Sequence, residues 1–432
     1  MDPKITLFGT FFFLIMIKVP VGFALAISSL LTVIHLKINP LIIVQRMVSG
    51  INSYMLLAIP FFILAGNVMA EGGIARRIVE FAKLFVGRIP GGQAMVNVVD
   101  SMFFGGISGS AVADVAATGS IDIPMMLEAG YDRGFAVALT IAASIQGIII
   151  PPSHNAVIYS MAAGGVSIGA LFMAGYIPGI LLGVALMINC YIIAKLRNYP
   201  TFSFPREWRK VLRVFWEGLL GLLTGAIIIG GIVSGIFTPT ESGAIGALYS
   251  ILISAIVYRE LTWSGFKRAV LSSVHTVGSV MFIIASASAF GWLLAYLRVP
   301  GLATKAILSV TTNPILGMLL INILLLLLGM IMDMAPLIII VTPILLPVVQ
   351  AYGMHPVHFG VILLLNLGIG LLTPPVGTAL FTGCAVGKVS LEEVTKNLIY
   401  FLPAMLLVLF LITFCPSLVL FLPRLLGLVR WP

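Results

Sequence analysis

The chain has 432 residues, of which 60% are hydrophobic and 9% are charged, and its formal net charge is +9. A soluble domain carries about 25% charged residues. The composition therefore excludes a soluble globular protein and indicates a polytopic membrane protein with room for roughly ten to twelve spans. The positive charges cluster in short loops, as the positive-inside rule expects, and do not indicate nucleic-acid binding. The sequence holds no Walker A motif, which excludes ATP hydrolysis by that route.

The first half begins with three predicted spans. Its first apolar run starts at Ile5 and is followed by no small-residue cleavage site, so we interpret it as a span and not as a removed signal peptide. An amphipathic arm at about 74–88 comes next, and a re-entrant hairpin is predicted at about 93–128. The middle of this hairpin, residues 105–119, is a run of small residues with hydroxyls and one carboxylate, which we call tip one.

Tip one has the residue types of an ion-binding turn. Glycines let the backbone turn tightly and approach a ligand closely, and serine hydroxyls and freed carbonyls are oxygen ligands that suit Na⁺. A helix that starts within the tip would direct its positive N-terminal end at an anion. The alternative is that the small residues only allow close helix packing. Asp114 favours a functional site, because a carboxylate inside a membrane is costly.

A helix interrupted by two prolines is predicted at about 134–163. The interruption at 150–153, which we call break one, reads Ile-Pro-Pro-Ser. Prolines lack the backbone donor, and carbonyls freed in hydrocarbon need other partners, so broken helices persist where they line a cavity or are buried in protein. Asn155 adds an amide beside the break. His154 is a candidate substrate contact, although a lone histidine more often has a local partner.

A basic linker at 195–216 separates the two halves. It carries one acidic residue, Glu207, against the basic residues Lys195, Arg197, Arg206, Arg209, Lys210 and Arg213. This excess of positive charge predicts that the linker is cytoplasmic.

The second half, about 217–428, repeats the order of the first, about 1–194. The second pair of prolines lies 223 positions after the first, and Asp333 lies 219 positions after Asp114. The first arm holds four basic residues, whereas the second arm, at about 298–313, holds two. This difference predicts that the arms lie on opposite sides of the membrane, which means inverted repeats of five crossings each, with both termini outside.

The second half has its own hairpin and its own broken helix. The hairpin is predicted at about 314–350 and turns at 329–336, which we call tip two, and the broken helix at about 357–386 is interrupted at 371–378, which we call break two. Asp333 in tip two is the only Asp, Glu, Lys or Arg between residues 306 and 387. A lone intramembrane carboxylate is a candidate functional group. The alternative is a carboxylate that caps its own helix or rests in a water-filled vestibule.

We expect each break to complete a cation site with the tip of its own half, so that two cation sites surround one central substrate cavity. The predicted substrate contacts are Ser108, Ser110, Asp114, His154, Asn155 and Thr378. The predicted Na⁺ ligands are Ser108, Gly109, Ser110, Pro151, Pro152, Ser153, Gly329, Asp333, Thr373, Pro374 and Gly377.

These motifs resemble one known family. The matching segments are Gly106-Ile107-Ser108-Gly109-Ser110 with Asp114, break one, Gly235-Ile236-Phe237-Thr238-Pro239-Thr240-Glu241, and Thr373-Pro374-Pro375-Val376-Gly377. Together they resemble the large membrane subunit of TRAP (tripartite ATP-independent periplasmic) transporters of the DctM type. The similarity extends in order over essentially the whole chain, with Glu241-Ser242 where Glu-Ala is usual.

The resemblance implies a fold and a function. It implies an elevator transporter, in which a scaffold holds a mobile domain made of the two hairpins and the two broken helices. It also implies Na⁺-driven uptake of an organic acid, such as a C4-dicarboxylate, sialic acid, another sugar acid or a keto acid, across a bacterial inner membrane. The expected partners are a small four-helix membrane subunit and a soluble periplasmic protein that delivers the substrate, and no cofactor other than the coupling ion Na⁺ is expected.

Three other functions remain open at this point. A stand-alone symporter or antiporter of related architecture would need no soluble partner. An intramembrane aspartyl hydrolase would use Asp114 and Asp333, but such enzymes hold two carboxylates close together, whereas these lie in separate repeats. A passive channel fits poorly, because paired broken helices imply occluded sites. We therefore expect a transporter and not an enzyme.

Overall fold

A computed structural model describes residues 2–87, 89–197, 199 and 207–429. Every regular element in this part of the chain is helical, and none of it forms a β-strand. Arg88, one of the four basic residues of the first arm, and Arg206 of the linker lie outside the described residues.

The first half contains twelve α-helices and one short 3₁₀ turn at Tyr54–Leu57. The helices are α1 (Pro3–Met16), α2 (Val21–His35), α3 (Leu41–Ile51), α4 (Ala58–Glu71), α5 (Ile74–Val86), α6 (Gly92–Ser108), α7 (Ala111–Ala117), α8 (Gly119–Glu128), α9 (Arg133–Ser144), α10 (Gln146–Ile149), α11 (His154–Ala162) and α12 (Ile168–Arg197).

The second half has eleven α-helices within its described residues, and a π-helical turn at Ile253–Val257 extends the second of them. The helices are α13 (Trp208–Val233), α14 (Pro239–Leu252), α15 (Trp263–Tyr296), α16 (Val299–Val310), α17 (Pro314–Ile331), α18 (Met334–Ala351), α19 (Pro356–Gly370), α20 (Thr378–Gly387), α21 (Leu391–Leu398), α22 (Leu402–Phe414) and α23 (Pro416–Leu425).

Several of these helices are long and apolar enough to cross a membrane. Among the described residues, seven satisfy this test, and the number rises to nine if each of two sharply bent pairs counts as one span. One bent pair is the helix that contains break one, whose two parts, Arg133–Ile149 and His154–Ala162, meet at 50°. The prediction of an all-α polytopic membrane protein is confirmed.

The two halves share their element order but differ in where their helices are interrupted. The third span of the first half is split into α3 and α4, whereas its counterpart α15 runs unbroken for 34 residues. The last span is a continuous α12 in the first half, whereas the second half has α21, α22 and α23 there. Pro403 and Pro416 occupy the starts of α22 and α23, where the missing N–H costs no intrahelical bond. The inverted orientation of the halves stays a prediction.

The segment that joins the last helix of the first half to the first helix of the second half is shorter than the predicted linker at 195–216. Helix α12 continues to Arg197, and α13 already begins at Trp208, so helices occupy both ends of the 195–216 segment. The first turns of α13 carry Arg209, Lys210 and Arg213, and Trp208 is largely exposed. Basic residues and tryptophan in this position are typical of the membrane surface.

Each hairpin packs against the broken helix of its own half through a pair of glycines. A Cβ built on Gly147 of α10 would lie 2.6 Å from the Cα of Gly105 in α6. A Cβ built on Gly370 of α19 would lie 2.6 Å from the Cα of Gly329 in α17. The hairpin backbones therefore approach the broken helices more closely than any side chain would allow.

This contact predicts the effect of adding one methyl group. Gly147→Ala should destabilise the protein by about 1–3 kcal/mol, the usual cost of overpacking, and should lower the midpoint of thermal unfolding of the purified protein in detergent. The matched control is Gly278→Ala in α15, where a new Cβ meets no heavy atom within 4 Å. That control should leave the midpoint unchanged or raise it, because alanine is the better helix former. Equal midpoints for the two variants would show that the Gly105–Gly147 contact is not tight.

Candidate functional site

The candidate site is a cavity of ≈ 670 Å³ that lies between two sets of helices. One wall comes from α4 and α15, which we call the scaffold wall, and the other comes from the two tips together with the first turns of α11 and α20. Six of the predicted site residues line the cavity: Ser108, Ser110, His154, Asn155, Asp333 and Thr378. The structure thus brings residues from both halves of the chain, more than 200 positions apart, to one space.

Three helices begin at the wall of this cavity. Helix α11 starts at His154, α18 starts directly after Asp333, and α20 starts at Thr378, and all three of these residues line the cavity. The first turn of a helix carries unsatisfied N–H groups and the positive end of the helix dipole. Neither Ser153 nor Gly377, the residues before α11 and α20, caps its helix with a side chain. These N–H groups make the wall attractive to an anion.

The charges of the side chains that line the cavity also bear on how an anion could bind. Among the described residues that line the cavity there is no lysine or arginine, and Asp333 is the only carboxylate. Neutralisation of a bound anion by a basic side chain is therefore not available. The positive potential has to come from helix N-termini or from bound cations.

Tip one lies directly against break one. Gly109 has a left-handed φ of 65°, and a Cβ at this position would lie 2.9 Å from the carbonyl oxygen of Pro152 and 3.0 Å from the Cα of Ser153. The amide of Asn155 donates to the carbonyl oxygen of Gly109 at 3.5 Å. Glycine is needed here, because the backbones touch and the dihedral angle is left-handed.

Two hydroxyl oxygens at tip one and break one, those of Ser108 and Ser153, accept no hydrogen bond from a described group. The Ser108 hydroxyl donates to the carbonyl oxygen of Gly105 at 3.4 Å, so the lone pairs of its oxygen remain. The hydroxyl of Ser153 in break one is buried and has no hydrogen-bond partner. Ser110 precedes α7, and its oxygen accepts from the N–H of Ala113 at 3.3 Å. The oxygens of Ser108 and Ser153, which accept no hydrogen bond from a described group, suit a hard cation such as Na⁺.

Tip two lies against break two in the same way. The N–H of Val376 donates to the carbonyl oxygen of Met330 at 3.1 Å, and the hydroxyl of Thr378 donates to Asp333 at 3.2 Å. Thr373 donates its proton to the carbonyl oxygen of Gly370 at 2.9 Å, which leaves its oxygen lone pairs available. A carboxylate, a hydroxyl and the carbonyls of an interrupted helix form a second oxygen-rich region at the cavity.

Some predicted residues do not reach the cavity. Asp114 is fully buried inside the first hairpin, and it accepts from the hydroxyl of Thr118 at 3.2 Å. It does not line the cavity, so its predicted contact with substrate is not supported by its position. The predicted Na⁺ ligands that also lie behind the cavity wall are Gly109, Pro151, Pro152, Ser153, Gly329, Thr373, Pro374 and Gly377. Gly109 and Gly329 belong to the tips and the others to the breaks, and only Ser153 and Thr373 among them have a hydroxyl in addition to the backbone carbonyl.

Two groups of polar residues were missed from the sequence. The scaffold wall contributes Asn67, Ser272, Thr276 and Ser279 to the cavity. The three hydroxyl residues recur at intervals of four and three along an apolar helix, and this one-sided helical spacing was the signal that could have revealed them. Behind tip one, Asp100 and Asp122 are fully buried and lie beside Asp114.

Among the described residues no group of three His, Cys, Asp or Glu side chains is arranged to hold a metal ion. A Na⁺ site does not require such a group, because carbonyl and hydroxyl oxygens supply its ligands. The residues at both breaks fit a hard cation and do not fit zinc, copper or iron.

Comparison with known proteins decides the family. The model of the family described as "Tripartite ATP-independent periplasmic transporter, DctM component" matches residues 8–418. The chain belongs to this family. It is therefore a transporter subunit of the DctM type and not an enzyme, and the interpretation as an aspartyl hydrolase is wrong. As a family member with several apolar spans, it is a multi-pass protein of the bacterial inner membrane.

Relatives of the DctM family match the chain over most of its length. The protein YgiK of Salmonella typhimurium is 44% identical and covers 98% of each chain. The sialic acid TRAP transporter large permease protein SiaM of Vibrio cholerae is 42% identical over 94% of this chain and 95% of its own length. The C4-dicarboxylate TRAP transporter large permease protein DctM of Pseudomonas aeruginosa is 40% identical over 87% of each chain.

A solved structure shares the fold. The crystal structure of the YdaH transporter of Alcanivorax borkumensis aligns with a TM-score of 0.61 over 86% of each chain. The two sequences are 12% identical, so this similarity concerns the fold alone.

The cavity predicts which positions a water-soluble thiol reagent can reach. In a variant that lacks Cys190, Cys384 and Cys415, the substitutions Ser110→Cys and Thr276→Cys should react with a charged methanethiosulfonate applied to both membrane faces. Both positions line the cavity, whereas the control position Ser144 is fully buried in α9 and should stay unlabelled as Ser144→Cys. Labelling of Ser144→Cys at the rate of the other two, measured by mass spectrometry, would contradict the assigned cavity.

Proposed function

We propose that this chain is the large membrane subunit of a transporter that takes up an organic acid with Na⁺ as the coupling ion. The observation that carries the proposal is the cavity itself, where helix N-termini from both halves converge on a space whose described lining has no lysine or arginine. A transporter for a cation or for a neutral solute would not need this arrangement. The organic-acid part is also supported by relatives whose names include sialic acid, C4-dicarboxylate and 2,3-diketo-L-gulonate.

The anion would bind near the N-termini of α11 and α20, and the cations would bind at the two breaks. Asp333 carries a negative charge at the cavity, and the substrate adds at least one more. A charge inside the membrane costs at least about 2.5 kcal/mol on insertion scales, so cations beside the anion reduce the cost of carrying it across. Na⁺ at tip one and tip two, held by hydroxyl and carbonyl oxygens, would provide this neutralisation.

The mobile part would comprise the two hairpins and the two broken helices, with α4 and α15 in the static part. Support comes from Gly66 of α4, where a Cβ would lie 3.1 Å from the Cα of Ser108, so the glycine leaves no side chain in the path of tip one. Within each half, the tip and the break touch through backbone atoms and would move together. This division corresponds to an elevator mechanism, in which the substrate site moves as a rigid unit past the scaffold wall.

Two partners belong to the proposal. One is a small membrane subunit with four helices, and the other is a soluble periplasmic protein that delivers the acid. The isethionate permease protein DctMQ of Oleidesulfovibrio alaskensis is 39% identical, and the chain covers 66% of its length. A second permease protein, SiaT of Haemophilus influenzae, is also covered over 66% of its length. The remainder of each relative has room for a fused small subunit.

The function can be tested by reconstitution of the chain and its small subunit in proteoliposomes. Labelled organic acids would be offered with and without an inward Na⁺ gradient, and with and without the soluble protein. Uptake that needs both the gradient and the soluble protein is the expected result. Uptake without the soluble protein would instead support a stand-alone symporter, and uptake that is indifferent to Na⁺ would contradict the proposed coupling.

The cation sites predict a specific change in Na⁺ dependence. Asp333→Asn removes the negative charge of tip two and Thr373→Val removes a hydroxyl oxygen of break two, and each should raise the half-maximal Na⁺ concentration for uptake roughly tenfold or more. The matched control is Thr395→Val in α21, whose hydroxyl donates to the carbonyl oxygen of Leu391 far from the cavity. The control should keep the wild-type Na⁺ curve. Unchanged Na⁺ curves in both site variants would show that break two does not bind the coupling ion.

A further inference from the structure

Three carboxyl groups are buried together inside the first hairpin, behind the cavity wall. Asp100 of α6, Asp114 of α7 and Asp122 of α8 are all fully buried. The carboxyl groups of Asp100 and Asp122 lie within hydrogen-bond reach of each other, and both are near Asp114. Neither Asp100 nor Asp122 lines the cavity, so the proposed transport function leaves these two residues without a role.

Asp100 and Asp122 lack hydrogen-bond donors. None of their four carboxyl oxygens accepts a hydrogen bond from a described group. The hydroxyl of Ser101 is also fully buried, lies next to Asp114 and has no hydrogen-bond partner of its own. A buried carboxylate without donors is costly, and two carboxylates in contact cannot both be ionised. The pair therefore needs a positively charged ligand.

Apolar side chains surround this part of the hairpin. A buried cluster joins α5, α6 and α8 beside the pair, and it consists of Val79, Ala82, Val96 and Val99, with Ile121 and Met125 packed against it. The environment of the pair therefore has a low dielectric constant, in which an uncompensated charge is most costly.

The charged side chains near the pair do not provide the ligand. Lys83 of α5 lies near Asp122, but it forms an ion pair with Glu80 of the same helix, so these two residues together add no net charge. Asp114, the other charged neighbour, adds a further negative charge when it is ionised.

Other helices that pack against α6 have their charged groups paired elsewhere. Helices α9 and α10 contain a single ionisable residue, Arg133, which donates to the carbonyl oxygen of Gly387 at 3.1 Å. On α4, Glu71 forms an ion pair with Arg268. On α12, Arg197 forms an ion pair with Asp132. A ligand from outside the protein is therefore required.

We propose that Asp100 and Asp122 form a proton-binding site inside the first hairpin, in which one proton bridges the two carboxyl groups. A proton needs only two oxygens in contact, whereas a metal ion needs converging ligands, and no three acidic side chains in the described part of the chain are arranged to hold one. The bound proton lowers the negative charge that the hairpin carries inside the membrane. This inference does not rest on the proposed function, because the pair lies outside the cavity.

The site makes the stability of the protein depend on pH. The folded pair holds a proton that the separate aspartates of the unfolded chain release near neutral pH. Because the folded state then binds one more proton than the unfolded state, stability falls as pH rises, by about tenfold in the folding equilibrium constant per pH unit while the pair keeps its proton. The measurement is the midpoint of thermal unfolding of the purified complex with the small subunit, between about pH 6 and about pH 9, in Na⁺ and in K⁺.

The test variants are Asp100→Asn and Asp122→Asn. An asparagine amide donates to the remaining carboxylate without a bound proton, so each variant should lose this contribution to the pH dependence. The midpoint of each variant minus that of the wild type should therefore rise with pH. The control is Asp132→Asn, which removes an exposed carboxylate that is paired with Arg197 at 2.8 Å. That control should shift the midpoint by the same amount at every pH.

Two results would overturn the inference while the proposed function stands. The difference between each asparagine variant and the wild type could be the same at every pH, or it could depend on pH in K⁺ and not in Na⁺, which would show a metal ion at the pair. If one variant does not fold, the other decides. If neither folds, the infrared spectrum of the wild-type complex decides, since it must contain absorption by a protonated carboxyl group at neutral pH.

Discussion

The contact between each hairpin tip and the broken helix of its own half is the constraint on which the rest of the structure depends. Prolines interrupt the helices at both breaks, and a backbone carbonyl left without a donor inside a membrane costs several kcal/mol. The glycine pairs Gly105–Gly147 and Gly329–Gly370 bring hairpin backbone next to the interrupted backbone. The freed carbonyls are therefore enclosed by protein and not by lipid.

This enclosure also explains how a cavity without basic side chains can hold an anion. An arginine would bind the anion permanently and would add a fixed charge to the moving part. Helix N-termini supply a smaller positive potential at no net charge. In the proposed mechanism Asp333 is the fixed partner of a coupling cation, since the one described side chain that forms a hydrogen bond with it, Thr378, is neutral. With cations at the tips and the acid beside them, the proposed mobile part would carry little net charge across the membrane.

Much of this architecture could be predicted from local sequence signals. Glycines and prolines change the backbone conformation at their own positions, so they reveal where helices turn or end. The hairpins predicted at 93–128 and 314–350 accordingly lie within one residue of the ends of α6–α8 and α17–α18. Their equivalent positions, 219 residues apart, suggested that both carboxylates are functional, Asp114 as a substrate contact and Asp333 as a Na⁺ ligand, but only Asp333 lines the cavity. Asp114 turns into the first hairpin toward Thr118, whereas Asp333 precedes its helix and reaches the cavity. Side-chain direction depends on packing that a repeat offset does not encode.

The scaffold wall was the harder part to predict. Thr276 and Ser279 lie on a helix whose hydroxyls look like ordinary substitutions for alanine inside a membrane span, and only the opposing helices turn this face into a cavity wall. The buried carboxylates Asp100 and Asp122 were missed for the same reason, because they become neighbours of Asp114 only when the hairpin folds. Contacts between distant segments require the tertiary structure.

The most direct measurement is a cryo-electron microscopy structure of the chain and its small subunit in lipid nanodiscs, determined in Na⁺ with a bound carboxylic acid and again in K⁺ without it. The account predicts carboxylate density at the N-termini of α11 and α20, and ion density between each tip and its break in Na⁺ only. Carboxylate density held by basic side chains elsewhere, or breaks with the same density in Na⁺ and K⁺, would contradict it.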